Sequence, residues 1–257
     1  MLGTISLVTA FAFAAIYPLC FLISADDPLK NQFHKFHIGL PNTVGGVVLI
    51  FVWLMDIPLA LKWTVTAWKA VFLSVSWYSW KKESPAPALM AMASLLGIFA
   101  FLRLQGHLIA PAWDIAVIGI LGGVIFCAAL YAMNLGHWYL NVHGLPIKHL
   151  ARAIQVFAAA LSVRLLWDAY YLWRGSVIYR EDTVPIMRFA LTSEGFLVFI
   201  GLLFGTVFPL ASLYFANEVL KLKNTQSATG ILYVILCSVL IGDIAYKYYL
   251  VKYGVVL

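Results

Sequence analysis

Apolar residues along this chain come in long unbroken runs. They show neither the alternation of a half-buried strand nor the one-sided stripe of a soluble helix. A helix needs about 20 apolar residues to cross the hydrocarbon core of a bilayer. Six segments meet that length: Gly3–Ser24, Asn42–Leu61, Trp113–Leu140, Ile147–Trp173, Met187–Asn217 and Ala228–Val251. A seventh, Pro87–Leu104, is shorter and carries no charge before Arg103. Trp63–Trp80 is ambiguous. Its tryptophans suit the headgroup region, as in a helix lying in the interface, whereas a Lys69 able to snorkel suits a span. Spanning is the preferred reading. The expected fold is an all-α integral membrane bundle of eight helices, or seven if Trp63–Trp80 stays in the interface, with residues 1–257 forming one transmembrane domain.

Composition agrees with the pattern. Of 257 residues, 63% are hydrophobic and 11% charged, and the mean hydropathy is +0.92. A soluble domain carries about 25% charged residues, so lipid must be the solvent here. The net charge of +6 is spread singly or in pairs over the loops and helix ends, as at Lys30, Lys35, Lys81, Lys82 and Arg152. That pattern suits phospholipid headgroups and excludes a nucleic-acid surface. Lys and Arg divide evenly between the two expected faces, so charge sets no orientation. The first segment has no Lys or Arg ahead of its apolar run and no small-x-small cleavage site, so it reads as a transmembrane helix and not a signal peptide. Cys20, Cys127 and Cys237 all fall inside apolar segments, with no metal or haem-attachment spacing.

Ionisable residues inside a bilayer are costly and need a reason. Arg164 and Asp168 lie four apart, as do Asp243 and Lys247, so each pair meets on one helix face. Asp56, within or at the end of the second span, and Glu194, in the seventh, have no such partner. They are the candidate catalytic carboxylates, for proton transfer. Of the histidines His34, His37, His107, His137, His143 and His149, all but His107 fall on one face of the eight-helix arrangement. His137 is the best candidate ligand. Asn134 and Asn141 sit three and four residues from it and are placed to orient the ring, and Gly136 permits close approach of a helix or a flat cofactor. His137, with His34, His37 or His143, is the expected holder of haem b or quinone, and His137 itself the expected ligand to haem iron. Asn224–Tyr233 enters the last span through small polar residues, with Thr225 or Ser227 as the expected cap. Gly205–Pro209 predicts a kink in the seventh span. No nucleotide, zinc-protease, serine-hydrolase or iron–sulfur motif is present.

The runs LGHWYLNVHGLP and NTQSATGILY, the second leading into a last span with an acidic residue, resemble an uncharacterised family of bacterial polytopic membrane proteins. In helix number and size the chain is also similar to the polysulfide-reductase-type membrane subunits of respiratory complexes. That resemblance implies an inner-membrane subunit of a bacterial electron-transfer system that interacts with quinol, beside a cytochrome or iron–sulfur partner. Two other classes fit the same residues. The buried charges suit a secondary transporter of a small solute or ion, although no inverted repeat relates the two halves. Polar residues acting only as helix-packing glue suit a ligand-free scaffold or assembly subunit.

Overall fold

A computed structural model describes residues 1–25, 29, 33–142 and 145–257. Two compact units divide the chain, Leu2–Cys127 and Ala128–Leu257, the second also including Met1. Seven helical segments are long and apolar enough to cross a membrane: Leu2–Ser24, Phe33–Leu54, Pro87–Leu108, Trp113–Asn141, Lys148–Arg174, Leu197–Lys221 and Thr225–Tyr253. The chain is a helical integral membrane protein.

In Leu2–Cys127, helix α1 (Leu2–Ile16) tightens into a 3₁₀ segment, Tyr17–Ser24. Pro18 lacks the N–H that would continue the α-helical ladder, which gives the change of pitch its cause. Helix α2 (Phe33–Leu54) begins well before the expected Asn42 and carries Pro41 inside it. Pro41 deprives a preceding carbonyl of its donor, and next to it the Asn42 side chain donates to Ile38 O at 3.0 Å. The helix ends at Leu54, short of the expected Leu61. Asp56-Ile57-Pro58 forms the connection, because the residue before a proline is pushed out of helical conformation.

Helix α3 (Leu59–Trp80) covers the ambiguous segment as one continuous helix, packed along α2 and helix α4 (Pro87–Leu108). Its tryptophans divide. Trp63, Trp77 and Trp80 are exposed, whereas Trp68 is buried. The Trp68 ring lies 5.0 Å from Phe11 of α1 and fills space kept open by two glycines. A Cβ at Gly45 of α2 would come within 3.1 Å of it, and one at Gly97 of α4 would collide with it. Lys69 does not snorkel. It is buried, and its ammonium donates to Asn42 O at 2.7 Å and Asn42 Oδ1 at 2.8 Å. Asn42 in turn donates to Ser76 Oγ at 2.6 Å. Helix α5 (Trp113–Asn141) contributes its first part to this unit and the rest to the other.

In Ala128–Leu257, helix α6 (Lys148–Arg174) is followed by a hairpin of β1 (Ser176–Tyr179) and β2 (Asp182–Pro185). The hairpin turns on Arg180 and Glu181, both with positive φ, at 53° and 72°, the hand that suits a two-residue turn. A short helix α7 (Ile186–Ala190) and a turn come next. The expected span from Met187 is therefore interrupted, and the crossing helix starts only at Leu197. It runs as α8 (Leu197–Leu202), a π-helical turn (Leu203–Val207) and α9 (Phe208–Lys221). Pro209 cannot donate to the ladder, and the expected kink takes the form of this wider turn. Helix α10 (Thr225–Tyr253) is capped by Asn224, whose Oδ1 accepts from Ser227 N at 3.0 Å, in place of the expected Thr225 or Ser227. It ends at Gly254 with φ 67°, where left-handed backbone closes the helix.

The π turn is held against α10. Ser238 Oγ donates to Phe204 O at 2.7 Å, engaging a carbonyl in the loosened ladder. Gly242 lies so close to Gly205 that a Cβ there would overlap its backbone. Gly230, on the same helix, has nothing within 4 Å of such a Cβ. Gly242→Ala is expected to cost about 1–3 kcal/mol through forced separation of the helices. Gly230→Ala is expected to be neutral or to stabilise by up to about 1 kcal/mol through helix propensity. Thermal unfolding of the two variants in detergent checks this pair; equal midpoints would rule out the close approach.

Candidate functional site

The most connected polar cluster in Ala128–Leu257 is built on α6. Arg164 Nε donates to Asp168 Oδ1 at 2.9 Å, one turn along the helix, with the two side chains only 4% and 1% exposed. The other carboxylate oxygen, Oδ2, accepts from Thr206 Oγ1 at 2.8 Å and from Tyr246 OH at 2.6 Å. Those two hydroxyls are themselves 2.8 Å apart. The Arg164 guanidinium also lies over the Tyr246 ring, 3.9 Å from its centroid, as a cation–π contact. Arg164 Nη2 is buried and has no hydrogen-bond partner among the described residues.

Local sequence explains how three helices deliver these groups to one carboxylate. Thr206 stands in the π turn, where the wider pitch changes which residues face inward. The Gly205–Gly242 approach draws α10 against that turn, and Tyr246 follows Gly242 by one turn. At 1.5 Å rise per residue, Asp168 is about 9 Å from the Arg174 end of α6, and Tyr246 about 10 Å from the Tyr253 end of α10. Thr206 is about 13 Å inside the Leu197 end of its helix. The cluster therefore sits well inside the spans.

A second pair lies beside the first. Lys247 Nζ donates to Asp243 at 2.5 Å, both buried, and Asp243 acts electrostatically on Arg164. Together the four charges cancel, which keeps their burial tolerable. The balance is conditional, because arginine holds its proton at all relevant pH values whereas a carboxylate does not.

The candidate residues read from sequence fall elsewhere. Asp56 is exposed in the connection between α2 and α3. Glu194 is not inside a span. It lies in the turn before α8, 45% exposed, 3.8 Å from Arg180 Nη2, and accepts from Tyr253 OH at 3.2 Å. The expectation of two unpartnered intramembrane carboxylates fails because Pro58 and the α7 turn end the helices earlier than hydropathy alone suggests. His137 is on α5 in Ala128–Leu257 and exposed. Its Nδ1 meets Tyr233 OH of α10 at 3.1 Å. Asn141 does not orient that ring, since its amide donates to the His137 backbone carbonyl at 3.1 Å. Asn134 is half-buried one turn earlier. Gly136 packs against Thr229 of α10, as its small size allows.

His34 and His37 belong to Leu2–Cys127 and are buried. His37 Nδ1 pairs with Tyr17 OH at 2.7 Å, and its ring lies 3.9 Å from that of Phe33. His143 lies outside the described residues, as does Lys30. Among the described residues, no group of three His, Cys, Asp or Glu side chains is placed to hold a metal ion.

Sequence reading found Arg164–Asp168 and Asp243–Lys247 from their spacing but missed Thr206 and Tyr246. The available signals were the polar residue inside the GTVFP kink and the tyrosine between the two members of the second pair. Compared with protein-family models, with curated proteins and with solved structures, the chain matches none.

Proposed function

We propose that this chain is a secondary transporter that couples a proton to the movement of a small solute or ion, with Asp168 as the proton-loading carboxylate. The observation that carries this reading is the Arg164–Asp168–Thr206–Tyr246 network, buried inside the spans beside a π turn. Intramembrane charges are expensive and mark ion pathways, and π turns recur at functional positions. In this mechanism Asp168 accepts a proton, Arg164 shifts toward Asp243, and Thr206 and Tyr246 rotate their hydroxyl hydrogens to follow the change. Exposed Asp56 and Glu194 have no role in it. Reconstitution into liposomes with an entrapped pH dye tests the proposal. With amino acids, sugars and inorganic ions supplied one at a time on one side, wild-type protein is expected to move protons with at least one of them, with Asp168→Asn slower by at least about tenfold and Asp56→Asn unchanged. Equal flux in wild type and Asp168→Asn would overturn it.

We also infer that α3 is an eighth crossing helix. Its 22 residues reach about 33 Å, and Lys69 finds polar partners in α2 without reaching for the interface. Single cysteines at Asp56 and Ser84, in a background otherwise free of cysteine, test this with an impermeant maleimide on sealed vesicles. A crossing helix exposes one of the two from outside; an interfacial helix exposes both or neither.

A second reading, an electron-transfer subunit of the bacterial inner membrane that handles quinol, is favoured by one contact, the His137–Tyr233 hydrogen bond about 6 Å from the Asn141 end of α5. An imidazole and a phenol side by side suit the two-proton chemistry of a quinol hydroxyl. The same contact fits axial ligation of haem b through Nε2, with Tyr233 at Nδ1 orienting the ring. This reading predicts quinone in a solvent extract of purified protein, depleted in His137→Ala. Absence of quinone from the wild-type extract would remove it.

A further inference from the structure

Leu2–Cys127 holds a cavity of about 700 Å³, within the range of ligand sites. It is lined by the start of α3, the end of α4, the turn after it and the start of α5. Its walls include the apolar Leu61, Leu102 and Ile115, and its polar groups come from Arg103, Gln105 and His107 on the last turns of α4. Because α4 ends at Leu108 and α5 begins at Trp113, the cavity stands where two spans meet the headgroup layer.

Gln105 is the informative residue. It is 1% exposed. Its Nε2 donates to Ile115 O at 3.0 Å, which fixes the amide orientation through the hydrogen-bond network. Its Oε1 is then left buried with no partner among the described residues. The amide lies across Gly119, where a Cβ would come within 2.7 Å of Gln105 Cδ, so the side chain is held in place. A buried acceptor without a donor is unfavourable, and a ligand carrying a hydroxyl would relieve that. Arg103 and His107 are exposed and four residues apart, so they share one helix face. Arg103 presents a planar donor fork suited to phosphate.

We propose that this cavity binds a lipid whose headgroup joins an anionic phosphodiester to a free hydroxyl, as in phosphatidylglycerol. Arg103, with His107 beside it, takes the phosphate. Gln105 Oε1 accepts from the headgroup hydroxyl. Leu61, Leu102 and Ile115 contact the upper acyl chain. A free phosphate ester would use Arg103 but would leave these apolar walls uncovered, so the lipid is the better occupant. The site is independent of the transport reading, since none of its residues belongs to the Arg164 network.

Native mass spectrometry of the delipidated full chain tests this, with phosphatidylglycerol, phosphatidic acid, phosphatidylcholine and soluble glycerol 3-phosphate added separately. The expected order of retention is phosphatidylglycerol, then phosphatidic acid, then phosphatidylcholine. Glycerol 3-phosphate should not displace the first at equal concentration. Arg103→Gln should weaken retention of both anionic lipids about tenfold, as loss of one charge-assisted contact does. Gln105→Leu should abolish the preference for phosphatidylglycerol over phosphatidic acid while leaving phosphatidic acid bound. Equal retention of the three lipids by wild type, a result that needs no variant to fold, would overturn the proposal. So would displacement by glycerol 3-phosphate, or a Gln105→Leu protein that keeps the preference.

Discussion

The Arg164–Asp168 ion pair is the constraint around which the second half of this protein is arranged. Two opposite charges inside a span cannot be left to lipid, and removing either partner strands the other at a cost of about 3–5 kcal/mol. The rest of the local structure follows from enclosing them. A π turn supplies Thr206, a glycine contact admits α10, and α10 supplies Tyr246. Asp168 thereby receives three bonds, the number expected of a well-satisfied buried carboxylate. Arg164, with Nη2 lacking a partner among the described residues, does not reach the same completeness. The transport reading proposed above takes that asymmetry as its sign of a pair able to move. A purely structural pair gains by satisfying every donor, whereas a pair that exchanges partners needs a donor in reserve.

The first half encloses its polar groups differently. Lys69 has no carboxylate among its hydrogen-bond partners. It is held by the backbone and side chain of Asn42, which is itself tied to Ser76. Trp68, one residue away, fills space left by Gly45 and Gly97. The same stretch of α3 thus contributes both an aromatic wedge and a cation held by the two oxygens of one asparagine. Such a site suits holding helices together, and among its described partners it offers no carboxylate to load and unload.

Much of this was legible in the sequence, and the limits have physical causes. The seven spans follow from hydropathy, because backbone in lipid must be helical and apolar over about 20 residues. Their ends do not follow, because they depend on single residues. Pro58 puts Asp56 outside a helix, and the turn after α7 puts Glu194 in contact with Arg180. The expected start at Asn42 errs in the other direction, since α2 begins at Phe33 and runs through Pro41. The two charged pairs were visible because i, i+4 spacing is local geometry. Thr206 and Tyr246 lie 38 and 78 residues from Asp168, and only the packing of three helices brings them to it. Asn141 had the right spacing to reach the His137 ring, but at a helix end the carbonyl of residue i−4 is the nearer acceptor.

The central claim is that Asp168 gains and loses a proton inside the folded protein. Infrared difference spectroscopy of the reconstituted protein, taken between alkaline and acidic buffer, reports protonated carboxyl groups by their C=O stretch. A buried-carboxyl band is expected to appear on acidification, to reverse on return, and to be missing from Asp168→Asn. If Asp168→Asn and wild type give the same difference spectrum over the whole pH range in which both stay folded, Asp168 is a permanent counter-ion. The network would then be a fastener between helices and not a conductor.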